Sequence, residues 1–380
     1  MSHALLSASS AKRWLTCTPS ARLCENMPDT ASEYAAEGTL AHAIAELKLR
    51  KYIEPMSTRT YNRQMKKLEE DPAYQAEMQS YTDVYMDYIK DSAALRDHPP
   101  HIVAEYRVDY SAYAPEGYGT ADCIMIGDGL LEIVDYKHGK GVPVSAENNP
   151  QLRLYALGAM RQYMLLYPVH KIRMTIIQPR IDNTNSADMN VSELLEWGAS
   201  IKPLAQAAYE GTGDFVAGEH CRFCAAKAIC RARSREYTAL EDFRDEDPAL
   251  LTPEEIGVIL GKIDGLKNWA SDVSAYALQK ILSGEEIPGW KAVEGRSNRE
   301  IRDLDTAFNL LKLAGYPDEV LYERKPLTIT GLEKLVGKAR LSEIIGNYIV
   351  KPEGKPTLAL ESDTRTAITR AKSDFKEEVS

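Results

Sequence analysis

The chain has 380 residues, of which 44% are apolar and 27% charged, a composition typical of a globular protein large enough for two domains. Its 46 basic and 56 acidic residues argue against a protein that coats nucleic acid through bulk charge, but they allow a local basic groove. There is no apolar run of the ~20 residues that a membrane helix needs and no convincing secretory signal, so we expect a cytoplasmic protein.

The first hundred residues predict three helices. Residues 7–25 favour a helix with serine N-caps, and residues 35–52 show the apolar stripe of an amphipathic helix. Residues 73–96, rich in Tyr and Met, predict the third helix. All three precede the first predicted strand.

Beyond residue 100 the apolar pattern changes from the period of a helix to that of a strand. Three strands, a helix, a strand and a helix are expected in turn. Their predicted ranges are 101–110, 117–127, 130–137, 149–165, 170–180 and 191–210. Because a helix lies between two strands, this order indicates a crossover connection and an α/β fold with a mixed central sheet in the order α-βββ-α-β.

From about residue 241 the chain becomes acidic and contains proline, which indicates a connector. We therefore expect one domain over residues 1–240 and a mainly helical C-terminal domain over residues 241–380. Its helices are predicted near 253–283, 303–315 and 330–348. A polar stretch with two prolines, from Val350 onward, predicts a surface loop.

The third predicted strand ends on an acid and a lysine two residues apart, Asp135 and Lys137. Residues i and i+2 share one face of a strand, so the two side chains emerge together. Asp122 lies in the preceding strand, and the GDG turn between the strands makes them antiparallel neighbours. One or two carboxylates beside a lysine suit Mg2+ binding and metal-assisted hydrolysis of a phosphodiester. The ordinary alternative is an exposed ion pair of Asp135 with Lys137.

This acid–lysine pattern resembles the PD-(D/E)xK nuclease motif, and more closely its RecB-like branch. A histidine on a helix ahead of the sheet, His42, is a metal ligand in that branch. Gln151 and Tyr155 match its Q-x3-Y motif in the helix after the lysine strand. The resemblance covers about residues 7–235 and implies the same α-βββ-α-β core. The chain as a whole resembles a phage or prophage family that adds its own C-terminal region.

Three cysteines form the segment CRFCAAKAIC, and the spacing C-x2-C-x5-C indicates metal or cluster ligation. A fourth ligand must come from elsewhere, either Cys17 or Cys24, while Cys123 follows Asp122 in its strand and is expected in the core. The pattern resembles the iron–sulfur staple of AddB-type nucleases. That resemblance implies a 4Fe–4S cluster held by Cys17, Cys221, Cys224 and Cys230. Four thiolates suit structural Zn2+ equally well.

The resemblance also implies roles for the site residues. The ligands of Mg2+ or Mn2+ would be His42, Asp122, Asp135 and the carbonyl of Tyr136. Lys137 would position the attacking water, and Gln151 and Tyr155 would hold the site together or contact DNA. Glu105 would be an acid just outside the ligand set. The plain alternatives are a helix histidine paired with Glu46, a tyrosine in the core and a solvated Glu105.

Together the motifs predict a metal-dependent DNA exonuclease that works from single- or double-stranded ends in phage recombination, replication or repair. Its expected location is the host bacterial cytoplasm, and its partners are DNA and a phage single-strand binding or annealing protein. The alternatives are an endonuclease of the same superfamily and a non-catalytic DNA-binding or scaffold protein. The basic segment 222–235 is either a solvated surface or a path for the DNA backbone.

Overall fold

The computed structural model divides the chain into two compact units, residues 1–293 and 294–380. The described residues are 4–27, 33–238, 252–294, 301–322 and 326–350. The predicted domain boundary at residue 240 lies outside them, as does nearly all of the polar stretch predicted to be a loop after Val350.

The N-terminal unit follows the predicted order of helices and strands. Its helices are α1 (Ala11–Thr16), α2 (Ser20–Cys24), α3 (Glu33–Ile53), α4 (Thr58–Glu69), α5 (Glu77–Ala94), α6 (Pro150–Tyr163), α7 (Val191–Glu210), α8 (Arg231–Thr238) and α9 (Pro253–Leu282). Its strands are β1 (His101–Asp109), β2 (Tyr118–Gly127), β3 (Leu130–Tyr136), β4 (Lys171–Gln178) and β5 (Asn183–Asn190). The single helix predicted over residues 7–25 is wrong, because α1 ends at Thr16 and Pro19 precedes a separate α2.

The five strands form one mixed sheet in the order β1-β2-β3-β4-β5. The three neighbouring pairs β1/β2, β2/β3 and β4/β5 are antiparallel, whereas β3 and β4 are parallel. The predicted crossover is confirmed, since α6 connects the two parallel strands. The expected α/β class with a mixed central sheet is therefore the observed one, extended by the edge strand β5.

Helices cover both faces of this sheet. On one face, α1, α6 and α7 pack against the sheet in a core that contains Trp14, Ile133 and Leu157. On the other, α3 and α5 pack in a core that contains Ile44 and Tyr136. We call these the α6 face and the α3 face. The middle strand β3 is buried on both faces, so any polar group at its carboxyl end is held inside the protein rather than on its surface.

The described part of the C-terminal unit is mainly helical, as expected of the C-terminal region, although the helix expected near 253–283 lies in the N-terminal unit. Its helices are α10 (Leu304–Leu313), α11 (Asp318–Leu321), α12 (Ile329–Val336) and α13 (Lys338–Ile345). The single helix expected over 330–348 is two helices, because Gly337 between them takes a left-handed φ of 87°. That backbone conformation ends a helix and is favourable only for glycine.

Candidate functional site

The candidate site lies where β2 and β3 separate. Their backbone pairing runs from Gly127–Leu130 only as far as Cys123–Val134. Past that point the backbone N–H of Tyr136 donates instead to the Asp122 carboxylate, at 2.8 Å from Oδ2. β3 stays paired with β4, since the N–H of Lys137 donates to the carbonyl of Ile177. The fork between β2 and β3 opens a gap lined by the strand end that carries Asp135 and Lys137.

A second distortion lies beside this fork, in β1. The pairs Ala104–Cys123 and Tyr106–Ala121 flank Glu105, so Glu105 stands opposite Asp122. Glu105 has a φ of 47°, which is strained for a residue other than glycine. Strand alternation also reverses here, because Ala104 packs in the α3-face core whereas Tyr106 contacts the α6-face core. The strain turns the Glu105 carboxylate toward Asp122.

Helix α3 supplies the third member of this group. His42 Nδ1 lies 3.4 Å from Asp122 Oδ2. One ligand atom from each of His42, Glu105 and Asp122 falls within 4.8 Å of the others. Within the described ranges, no other group of three or more His, Cys, Asp or Glu side chains lies so close together. His42 and Asp122, both expected as metal ligands from the resemblance, therefore lie side by side. Glu105, expected outside the ligand set, lies inside this group.

The charges of these residues are strongly coupled. Burial lowers the pKa of His42, but the Asp122 carboxylate outweighs burial and raises it overall. Burial raises the pKa of Asp122, but the nearby His42 outweighs burial, so the pKa of Asp122 is lowered overall. Burial and the nearby Asp122 raise the pKa of Glu105 to about 8. Burial is the largest cause of this raised pKa, and the nearby His42 and Arg50 offset only part of it.

Asp135 and Lys137 lie together at the end of β3. Lys137 Nζ is 2.9 Å from Asp135 Oδ2. The exposed ion pair considered from the sequence is wrong, because the Asp135 side chain is only 3% exposed. The contact lacks hydrogen-bond geometry, so Oδ2 is a buried oxygen without a hydrogen-bond donor among the described residues. Burial raises the pKa of Asp135, although Lys137 acts in the opposite direction. Burial lowers the pKa of Lys137, but the carboxylates of Asp135 and Asp122 outweigh it and raise that pKa overall.

Helix α6 anchors this pair from the α6 face. Gln151 accepts from Lys137 Nζ through Oε1 at 3.2 Å and donates through Nε2 to Asp135 Oδ1 at 3.2 Å. The same Nε2 lies 3.2 Å from the hydroxyl of Tyr155, one turn later. The helix begins correctly because Asn149 caps it and accepts from the N–H groups of Gln151 and Leu152.

Tyr155 is buried between α6 and β2, and burial raises its pKa. Its ring fits only because position 119 is glycine. A Cβ on Gly119 would lie 2.7 Å from Tyr155 Cε1. Tyr155 is thus a core residue whose hydroxyl contacts Gln151. It is both the core tyrosine and the residue supporting the site that the sequence offered as alternatives.

The loop between Lys137 and α6 is held by residues that the sequence did not single out. Buried Gln178, at the end of β4, donates to the carbonyls of Gly139 and Val142 and accepts from the N–H of Val144. Asn185 in β5 accepts from the N–H of Ala146. A run of Asn, Thr and Ser is a poor strand signal, so β5 and its role in fixing this loop were missed.

The cysteines gather away from the fork. Cys24 Sγ lies 3.5 Å from Cys224 Sγ, and Cys17 and Cys221 are buried. A hydrogen bond from the Cys224 thiol lowers the pKa of Cys24 to about 6. Among the residues that the structure describes, no three cysteine sulfurs lie within 4.8 Å of one another. Cys123 is fully buried on the α3 face, as expected.

Comparison with known families gives one match over nearly the whole chain. Residues 3–366 match the family described as "Protein of unknown function (DUF2800)". The chain belongs to this family. A solved structure titled "Crystal structure of SSO0001" is similar at 15% identity over 51% of this chain and 85% of that chain, with a TM-score of 0.25. A likeness of that size does not establish a shared fold or function.

The family is described as one of unknown function, so the chemistry must follow from the residues at the fork. Two acids and an imidazole converge there, next to a buried carboxylate and a lysine, which is a donor set for a divalent cation and a phosphate. The carbonyl of Tyr136 as a metal ligand stays a prediction. No described helix has the length and apolar character that crossing a membrane requires.

Proposed function

We propose that this protein is a metal-dependent deoxyribonuclease of the RecB-like branch of the PD-(D/E)xK superfamily, acting from DNA ends. One observation carries the proposal: His42, Glu105 and Asp122 converge at the strand fork where Asp135 and Lys137 also emerge. Such an arrangement is unusual for a purely structural cluster, because it gathers three carboxylates, those of Glu105, Asp122 and Asp135, around one histidine and one lysine.

Mg2+ or Mn2+ fits the donor set of this site. His42, Glu105 and Asp122 would hold the ion, with Asp135 and the Tyr136 carbonyl as the further predicted ligands. The fit rests on the buried Asp135 oxygen that lacks a hydrogen-bond donor and on the raised pKa of Glu105, since a cation would satisfy both. When bound, the ion would polarise the phosphate and an attacking water.

The chain's own residues then divide the remaining work. The Lys137 ammonium lies beside Asp135, where it would orient the water and offset charge developing on the phosphate. Gln151 fixes the positions of both side chains, and Tyr155 supports Gln151 from the core. Hydrolysis would add water across one P–O bond, leaving a phosphate monoester on one product and a hydroxyl on the other.

The cysteines would hold a 4Fe–4S cluster in this proposal. Tetrahedral Zn2+ with Zn–S bonds of ~2.3 Å would bring four sulfurs to roughly 3.8 Å from one another. Only the Cys24–Cys224 contact is that short, and no cysteine trio of the described chain falls within 4.8 Å. The Cys24–Cys224 contact therefore fits Zn2+ at least as well as a cluster, and the 4Fe–4S assignment rests on the resemblance of the cysteine pattern. Cys221, Cys224 and Cys230 would be joined by Cys17, from the resemblance, or by Cys24, from the contact.

The proposal is tested with oxygen-free protein, Mg2+ or Mn2+, and three DNA substrates: end-labelled single strands, end-labelled duplexes and a closed circle. We expect linear DNA to be degraded and the circle to be spared, with Asp122→Ala inactive under the same conditions. Glu70→Ala, which changes an exposed acid that directly follows α4, should keep full activity. Cleavage of the circle would make the protein an endonuclease. Absence of cleavage with either ion would refute the nuclease proposal.

A further inference from the structure

A groove of about 1180 Å³ lies outside the fork, within the N-terminal unit. One wall is the segment Ser7–Arg13, a second is the cysteine loop around Phe223, and a third is α9 around Asn268. Val142 also lines it, and Val142 belongs to the loop that leaves Lys137. The groove therefore reaches the loop that borders the candidate site.

The groove carries positive charge that no acid neutralises. Its acidic side chains are each engaged by a lysine or arginine. These pairs are Lys12–Glu219, Lys227–Asp272, Arg233–Asp272, Lys262–Glu236 and Lys267–Asp264. Arg13 and Arg222 line the groove without an ion pair among the described residues. Buried Arg233, which is paired with Asp272, belongs to the framework of the groove and not to an exposed basic surface.

Aromatic rings accompany this charge. Phe223 is 77% exposed, which is unusual for a phenyl ring, and the Arg222 guanidinium lies 5.9 Å from its centre. Across the groove, Tyr237 packs against Trp269 with ring centres 5.7 Å apart and planes tilted by 33°. Exposed aromatic faces next to arginine are the surface on which unpaired nucleobases stack.

One hydrogen-bond donor in the wall of the groove, the Nε of Arg233, has no partner among the described residues. Arg233 is 4% exposed, so this donor is buried. A buried donor without a partner is costly unless a ligand or water completes it. This donor belongs to a side chain that lines the groove, so an acceptor bound there would satisfy it.

We propose that this groove binds single-stranded DNA and leads it toward the fork. The inference rests on the proposed nuclease function and adds the path of the substrate. A single strand suits the groove better than a duplex, because the exposed Phe223 ring can stack only on bases that are not already stacked. Exposed Arg222, which has no ion pair among the described residues, would contact the phosphates, and the salt dependence of binding would reflect that contact.

The test measures binding of a fluorescein-labelled oligothymidylate to the full chain in EDTA, where cleavage is absent. Arg222→Ala combined with Phe223→Ala removes two exposed side chains without changing the core. We expect a loss of affinity of about tenfold or more and a shallower salt dependence. The matched control combines Lys67→Ala with Leu165→Ala, which removes one exposed cation and one exposed apolar side chain elsewhere. A second groove variant, Asn268→Ala on α9, should weaken binding without touching the cysteine loop.

A small phosphodiester separates this inference from the proposed function. Turnover of bis(p-nitrophenyl) phosphate with Mn2+ needs the fork but not the groove, so the groove variants should keep it and Asp122→Ala should lose it. Unchanged oligothymidylate affinity in both groove variants would contradict the proposed binding site. A duplex that binds as tightly as the oligothymidylate, with an affinity that Phe223→Ala does not change, would contradict it as well. Loss of binding in the groove variants together with no turnover by the wild type would support the groove and count against the nuclease.

Discussion

Glu105 shows how the site depends on single residues. Its positive φ, its position opposite Asp122 and its half-buried carboxylate are explained together if the side chain is held as a metal ligand. We expect Glu105→Gln to weaken Mn2+ binding about tenfold or more, because it removes one charged ligand from the group. Calorimetric titration with Mn2+ measures this directly. Glu70→Gln is the control, and equal affinity in the two variants would remove Glu105 from the ligand set.

Lys137 is expected to act on turnover rather than on binding. Its ammonium lies beside Asp135 and Gln151, away from the groove, so Lys137→Ala should reduce kcat by about a hundredfold or more. The affinity for oligothymidylate in EDTA should stay within about twofold of the wild type, since no phosphate contact of the groove is removed. Near-normal turnover by the variant would contradict the assigned role.

At this scale the sequence predicted which side chains meet, but not all of their roles. Asp122, Asp135 and Lys137 converge as strand alternation and the tight turn predict, whereas His42 and Gln151 were expected there only from the resemblance. The contribution of Glu105 could not be predicted. It depends on a backbone reversal at one residue of β1, and periodicity carries no sign of such a distortion.

The position of α6 against the sheet depends on small residues at the contact. A Cβ on Gly158 would lie 2.8 Å from Val108 Cβ and 3.2 Å from the backbone nitrogen of Asp109. Gly158→Ala should therefore lower the free energy of unfolding by ~1–3 kcal/mol, because the helix must move away from β1. Urea denaturation gives the comparison. Gly257→Ala, in α9 with no atom near its new Cβ, should be neutral or stabilising.

The same helix links this packing to the site, since α6 also carries Gln151 and Tyr155. A displaced α6 would lengthen the contacts of Gln151 with Lys137 and Asp135. Element order and the parallel crossover were predictable because apolar periods and turn residues mark them. β5 was not, because its polar sequence follows no apolar alternation and it is a strand only through its pairing with β4.

Across the whole molecule, the cysteines connect segments that are far apart in the chain. Cys24 and Cys224 touch although 200 positions separate them, so a group bound there would close a loop around the entire α/β core. Binding of such a group is coupled to folding, because the unfolded chain does not hold the thiolates together. The site lies at the junction of α2 with the loop before α8, next to the groove.

This arrangement predicts the identity of the fourth ligand. Because Cys24 contacts Cys224, we expect Cys24→Ser to lose iron and the brown absorbance as fully as Cys224→Ser, with a lower Tm in both. Cys123→Ser changes a thiol in the α3-face core and should retain the full iron content. This control separates the effect of losing a ligand from that of losing a buried thiol. Iron retained in Cys24→Ser but lost in Cys17→Ser would assign the ligand to Cys17. One zinc per colourless wild-type chain would replace the cluster with a structural Zn2+ site.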